Sequence, residues 1–165
     1  MLSFHILEVK PFMAKLLTNT VFDSFYLKEL EIQTFTTFRI SGQFNEAFFT
    51  KEELEERGGS RSIDWSEVRS IALSMIKGNK TPLAMKLVLQ LPSDQAEALI
   101  DGLKGKLSPE DVGGLYLNIR FEKGELHIIT GTAIRTFTLD KTLEQEWDAM
   151  ARDFLKEQGM AYEED

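Results

Sequence analysis

Leu115-Tyr116-Leu117-Asn118-Ile119-Arg120-Phe121-Glu122-Lys123-Gly124-Glu125-Leu126-His127-Ile128 is the stretch on which the fold turns. Its apolar residues fall on every second position, 115 to 121 and then 126 and 128. That is the period of a half-buried strand, one face greasy and one polar. Lys123-Gly124 breaks the alternation for two residues and predicts a tight hairpin turn. In that register Arg120 lies across from His127, and Glu122 lies across from Glu125. A greasy strand face needs a cover, so helices are expected against it.

Those helices are written on either side. Towards the N-terminus, Leu83 to Leu91 alternates strongly, with Leu83, Met85, Leu87, Leu89 and Leu91 on one face. Pro92-Ser93 then opens a helix with Ala96, Leu99, Ile100 and Leu103 turned inward. Towards the C-terminus, Gly131-Thr132 is read as a turn into a further strand over 134–139. A helix over about 141–158 follows, with Leu143, Trp147, Met150, Phe154 and Leu155 as its apolar stripe. The acidic end, 159–165, is expected to fray.

The first half of the chain has the same order. Residues 3–7 read as a strand and Lys10–Thr18 as a helix with Phe12, Met13, Leu16 and Leu17 on one side. Residues 25–44 read as a hairpin that turns near 34–37. Thr50-Lys51-Glu52-Glu53 and Asp64-Trp65-Ser66-Glu67 have capping-box spacing and start helices. The second of these would bury Trp65, Val68, Ile71, Ala72 and Met75 and stop near Gly78. The expectation is an α+β fold, one domain over 1–165. Its antiparallel sheets would be covered by helices and built from two similar strand-helix-hairpin-strand units, about 3–57 and 84–158. A connecting helix over about 64–77 joins them.

Composition narrows the function. There is no cysteine among the 165 residues, which excludes disulfides, thiolate metal sites and cysteine nucleophiles. No run approaches the roughly 20 apolar residues that span a bilayer, and the N-terminus lacks the basic segment of a signal peptide. A cytoplasmic protein without membrane partners is expected. The net charge of −8 repels phosphate backbones and disfavours nucleic acid. The acidic residues show no metal-ligand spacing, so neither a metal nor a cofactor is expected. Glu52, Glu53, Glu55 and Glu56 read as a solvated helix face.

Two places carry candidate ligand groups. Lys77-Gly78-Asn79-Lys80-Thr81 clusters two ammonium groups beside a hydroxyl, although cations at a helix C-terminus also serve the helix dipole. On the polar strand face, Arg120 and His127 adjoin carboxylates, an arrangement open to acid–base chemistry or to plain cross-strand pairing. Arg135 completes the set of polar candidates.

Two resemblances follow from particular segments. Residues 76–83, 130–141 and 143–148 give the whole chain its resemblance to an uncharacterised bacterial family, a domain of unknown function from anaerobic Gram-positive bacteria. That resemblance implies no activity. The doubled element order, with Gly124-Glu125-Leu126-His127-Ile128-Ile129-Thr130-Gly131-Thr132 as one hairpin, resembles the DNA sliding clamp. The clamp likeness implies basic helices facing DNA. Here the corresponding helix carries Asp94, Glu97 and Asp101 against Lys104.

The expected role is therefore a non-catalytic interaction or scaffold protein that binds a protein partner or itself. An enzyme or small-ligand binder is the alternative, working in a cleft between the two units through His127, Arg120, Arg135 and Lys80. A clamp-like DNA-associated factor comes third.

Overall fold

The central hairpin forms as its alternation requires. In the computed structural model, which describes residues 1–76, 78, 80–105 and 107–165, β5 (Val112–Glu122) pairs with β6 (Glu125–Ile134) through a turn at Lys123 and Gly124. Both turn residues have positive φ, 53° and 78°. That backbone twist matches a two-residue hairpin, and glycine adopts it without a steric penalty.

The remaining strands add on both sides. They are β1 (Ser3–Ile6), β2 (Tyr26–Gln33), β3 (Thr37–Ser41), β4 (Ala84–Gln90) and β7 (Tyr162–Glu164). One seven-stranded sheet results, in the order β3-β2-β4-β5-β6-β1-β7, with every pairing antiparallel. Its helices are α1 (Val9–Leu17), α2 (Lys51–Glu56), α3 (Trp65–Met75), α4 (Ser93–Asp101) and α5 (Thr142–Glu157).

The core lies on one sheet face. Phe4, Ile6, Leu30, Ile32, Leu87, Leu89, Leu117, Ile119, Leu126 and Ile128 are buried there, together with Phe12, Leu16, Trp65, Trp147 and Leu155 from the helices. Fully burying each large side chain contributes about 1.5–3 kcal/mol before conformational entropy is counted. The two tryptophans also fix helices to backbone. Trp65 Nε1 donates to the Leu16 carbonyl at 2.8 Å and Trp147 Nε1 to the Tyr116 carbonyl at 3.1 Å. Edge-on rings join the layers, with Phe22 and Phe154 at 5.4 Å and Phe25 and Phe154 at 5.6 Å.

Among the described residues the opposite face carries no such layer. Its strand residues, among them Glu31, Lys86, Asn118, Arg120, His127 and His5, are half-buried or exposed.

Several expectations change. The two halves share an element order, but the sheet places them differently. β4 pairs with β5 of its own half, whereas β1 pairs with β6 of the other. The antiparallel sheets expected for two units are one continuous sheet. The turn expected at Gly131-Thr132 is absent. Gly131 pairs with Tyr116 in extended backbone, β6 runs on to Ile134, and residues 135–141 form no strand. The tail is not frayed: β7 pairs with β1, and Arg152 Nε meets Glu164 Oε1 at 2.5 Å. Ile71 and Leu83, expected inside, are 49% and 70% exposed.

Both capping boxes form. Thr50 Oγ1 accepts the Glu53 N–H at 3.1 Å, and Glu53 Oε1 accepts the Thr50 N–H at 2.8 Å. At α3, Glu67 Oε2 accepts the Asp64 N–H at 2.9 Å. Glu67 is also gripped by Arg57, whose Nη1 lies 2.6 Å from Oε1. The same guanidinium donates to the Ser62 carbonyl at 2.8 Å and covers the stacked Phe44 and Phe49 rings at 5.0 and 5.2 Å.

This grip has a pH consequence. The Arg57 hydrogen bond holds the Glu67 carboxyl below its ordinary value of 4.5, against the opposing pull of desolvation. A carboxyl with a lowered folded value stabilises the fold above its unfolded value. That contribution disappears as pH falls through the folded value. Glu67→Gln is therefore expected to be less stable than the parent at pH 7, with the difference shrinking below about pH 4. Urea midpoints from pH 7 to 3 measure this, and a pH-independent difference would refute it.

Candidate functional site

The site grows from the end of the β2–β3 hairpin. Thr34-Phe35-Thr36 turns the chain, closed by the Thr34 N–H on the Thr36 carbonyl at 2.8 Å. This turn sets Phe35 out at 93% exposure, its ring edge-on to Phe38 at 5.8 Å. The last turn of α3 brings Met75 and Ile76 alongside. After Pro82, the Leu83 N–H joins the Gln33 carbonyl at 2.8 Å, which holds Leu83 beside the hairpin.

Between these parts lies a groove of ≈ 950 Å³, walled by Phe35, Phe38, Met75, Ile76 and Leu83, with the exposed Lys80 and Thr81 also in its lining. Thr34 also lines it, and its Oγ1 is buried without a hydrogen-bond partner. A second groove of ≈ 290 Å³ adjoins it and shares Ile76, Gly78, Lys80 and Thr81. Val9, Met13 and Leu17 of α1 and Phe121 of β5 form its apolar walls, with Lys10 beside them.

The charges are sorted. Among the described residues lining the two grooves, the charged side chains are Lys10 and Lys80, and no carboxylate takes part. The chain as a whole has a net charge of −8. An apolar floor with a cationic edge is thus set into an acidic body.

The candidates read from the sequence occupy three separate places. Lys80 and Thr81 line the grooves. Lys77 lies outside the described residues. Arg120 and His127 pair across β5 and β6 on the open sheet face, as the hairpin register predicted. That face is opposite the groove side, because Phe121, the neighbour of Arg120, points into the smaller groove. Arg135 lies past the far end of β6, where its Nη1 donates to the Glu110 carbonyl at 3.1 Å. No cleft between two units gathers these five described residues, as a shared catalytic centre would require.

The open face has an order of its own. Arg39, Glu31, Lys86, Arg120, His127, His5 and Glu163 are successive cross-strand neighbours from β3 to β7. Arg39 Nε meets Glu31 Oε1 at 2.7 Å, and the hydrogen bond from Arg39 pulls the Glu31 carboxyl below its usual value. His127 Nε2 lies 3.6 Å from Asp165 Oδ2.

Sequence reasoning missed the groove walls. The available signal was a phenylalanine placed among threonines in a turn, and a leucine directly after Pro82 at the outer end of a strand.

Fold and site together define an α+β protein with one helix-backed antiparallel sheet and a cation-edged apolar groove at its end. The chain belongs to a family of unknown function, DUF5721, which matches residues 15–163. No curated protein and no solved structure matches it. No helix among the described residues is long and apolar enough to cross a membrane.

Proposed function

We propose that this is a non-catalytic interaction protein that receives an apolar, acid-flanked segment of a partner protein in the paired grooves. One observation carries the reading: on a chain of net charge −8, the charged groups among the described residues lining these apolar grooves are Lys10 and Lys80. Apolar side chains of the segment fill the space beside Phe35, Phe38, Met75 and Leu83. Its carboxylates meet the two ammonium groups, and a polar group can satisfy Thr34 Oγ1. Charge pairing at such an edge selects partners and speeds encounter more than it adds affinity. The two grooves share Ile76, Gly78, Lys80 and Thr81 in their linings, so one extended segment can occupy both, which suits a draped peptide better than an enclosed small molecule. The dispersal of the polar candidates over three places favours binding over catalysis.

Selection of a random peptide display library against the purified chain tests this. Enriched peptides are expected to carry two or more apolar anchors flanked by Asp or Glu. Leu83→Asp is expected to abolish their binding. The Lys10→Glu, Lys80→Glu pair is expected to weaken it by more than about tenfold, equivalent to about 1.4 kcal/mol. All three positions are exposed, so folding should survive the changes. Enrichment of basic peptides, or unchanged affinity in both variants, overturns the proposal. Displacement of the peptide by decanoate, with tighter binding of decanoate itself, would instead identify a site for small anionic amphiphiles.

A further inference from the structure

The open sheet face holds a second constellation, independent of the grooves. His5 of β1 and His127 of β6 are direct cross-strand partners. Their rings lie face to face, with centroids 4.7 Å apart and planes 16° from parallel. Glu125 stands two residues before His127 on the same strand, and so on the same face. One ligating atom from each of the three lies within 4.8 Å of the others.

Two imidazoles and a carboxylate are the donor set that suits zinc and its neighbours among the divalent transition metals. A tetrahedral zinc with bonds of about 2.0–2.1 Å sets its ligand atoms about 3.4 Å apart. The three groups therefore need to close by little more than an ångström, within reach of side-chain rotation from two fixed strands. The rings would tilt out of their stack, since two parallel planes cannot both contain one ion.

The surroundings also favour a cation. Glu122 is the direct cross-strand partner of Glu125 at the hairpin turn. Like charges placed opposite one another destabilise a strand pair, and a bound cation relieves that. Glu163 faces His5 from β7, and Asp165 Oδ2 lies 3.6 Å from His127 Nε2 while accepting from Ser3 Oγ at 2.8 Å. Arg120, across from His127 on β5, Lys86 beyond it on β4 and Lys123 in the turn are the opposing charges. The four carboxylates outnumber them.

We infer that His5, His127 and Glu125 form a divalent transition-metal site on the open sheet face, with zinc as the fitting ion. Three protein ligands leave a position for water or for a donor group from another molecule. The site clips β1 to β6, so metal binding stabilises that end of the sheet by mass action.

These are the chain's two histidines, which makes the test direct. Chelator-treated protein is titrated with zinc chloride by calorimetry while the imidazole signals are followed by NMR. One zinc per chain is expected, with both imidazoles responding together and the thermal midpoint rising. Loss of a supporting partner alone costs a metal site roughly 10–100-fold in affinity. His5→Gln and His127→Gln are expected to lose at least as much, and Glu125→Gln about tenfold. Glu125 is exposed, so its variant tests the site with the fold intact. A response from one histidine only, unchanged affinity in Glu125→Gln, or no saturable binding at millimolar zinc overturns the inference.

Discussion

Trp65→Ala is expected to lower the unfolding free energy by about 3–5 kcal/mol. Trp65 is the first residue of α3 and has no solvent exposure. Its removal deletes a large apolar contact and leaves a cavity between α1, α3 and the sheet. It also removes the indole donor from the Leu16 carbonyl, at 2.8 Å. That carbonyl belongs to the last turn of α1, where no further helical N–H is available to it. The tryptophan therefore acts as core filler and as the cap of a neighbouring helix. For a domain of this size the loss corresponds to roughly 6–20 °C in thermal midpoint. Trp65→Phe separates the two contributions. It keeps most of the packing and orphans the carbonyl, so about 1–3 kcal/mol is expected. Urea denaturation followed by circular dichroism measures both. A loss under about 1 kcal/mol for the alanine variant would mean that α3 does not pack as described.

Much of this fold is legible along the chain because its determinants are local. The alternation over 115–128, the Lys123-Gly124 turn and the Thr50 capping box each depend on residues within a few positions of one another. They fix element type and, in the hairpin, even the Arg120–His127 pairing. What stays hidden is long-range. Nothing in Ser3-Phe4-His5-Ile6 says that it will lie outside β6 rather than beside β2, because any amphipathic strand can close any available edge. The tail shows the same effect. Tyr162-Glu163-Glu164 is too short and acidic to read as a strand, yet the free edge of β1 pairs with it. The His5–Glu125–His127 cluster depends on that placement, so neither the spacing of its members nor their composition announces it. The grooves were concealed for a different reason. Leu83 continues the alternation of core residues and Phe35 stands in the turn, out of phase with Leu30 and Ile32, yet both are exposed and meet only because the Leu83 N–H pairs with the Gln33 carbonyl at the end of the hairpin.

Gly42→Ala is expected to cost about 1–3 kcal/mol, although it adds a single methyl group near the surface. The cause is a fit between two backbones. β2 carries an extra residue at Lys28, which shifts the register between Leu27 and Glu29. Gly42, just past β3, lies against that bulge, its N–H on the Lys28 carbonyl at 3.0 Å. A Cβ there would stand 2.1 Å from the Leu27 carbonyl oxygen and 2.7 Å from Lys28 Cα. Neither is the end of a flexible side chain. Nor can the bulge retreat, because the Leu27 N–H donates to the Ile63 carbonyl at 2.7 Å, and the Phe25 carbonyl, two residues earlier, accepts the Trp65 N–H at 2.8 Å. The strain must move β3, whose Phe38 forms a wall of the larger groove. Gly42→Ala should therefore weaken peptide capture as well as stability. Gly131→Ala is the control. Its Cβ would meet Asn118 Nδ2 at 3.2 Å, a side-chain group that needs to yield only a few tenths of an ångström and at most loses its hydrogen bond to the Ile129 carbonyl, so a smaller loss, under about 1 kcal/mol, is expected. Equal stability of the two variants would show that the bulge yields. The rigid link from Trp65 through β2 to the groove wall would then be wrong.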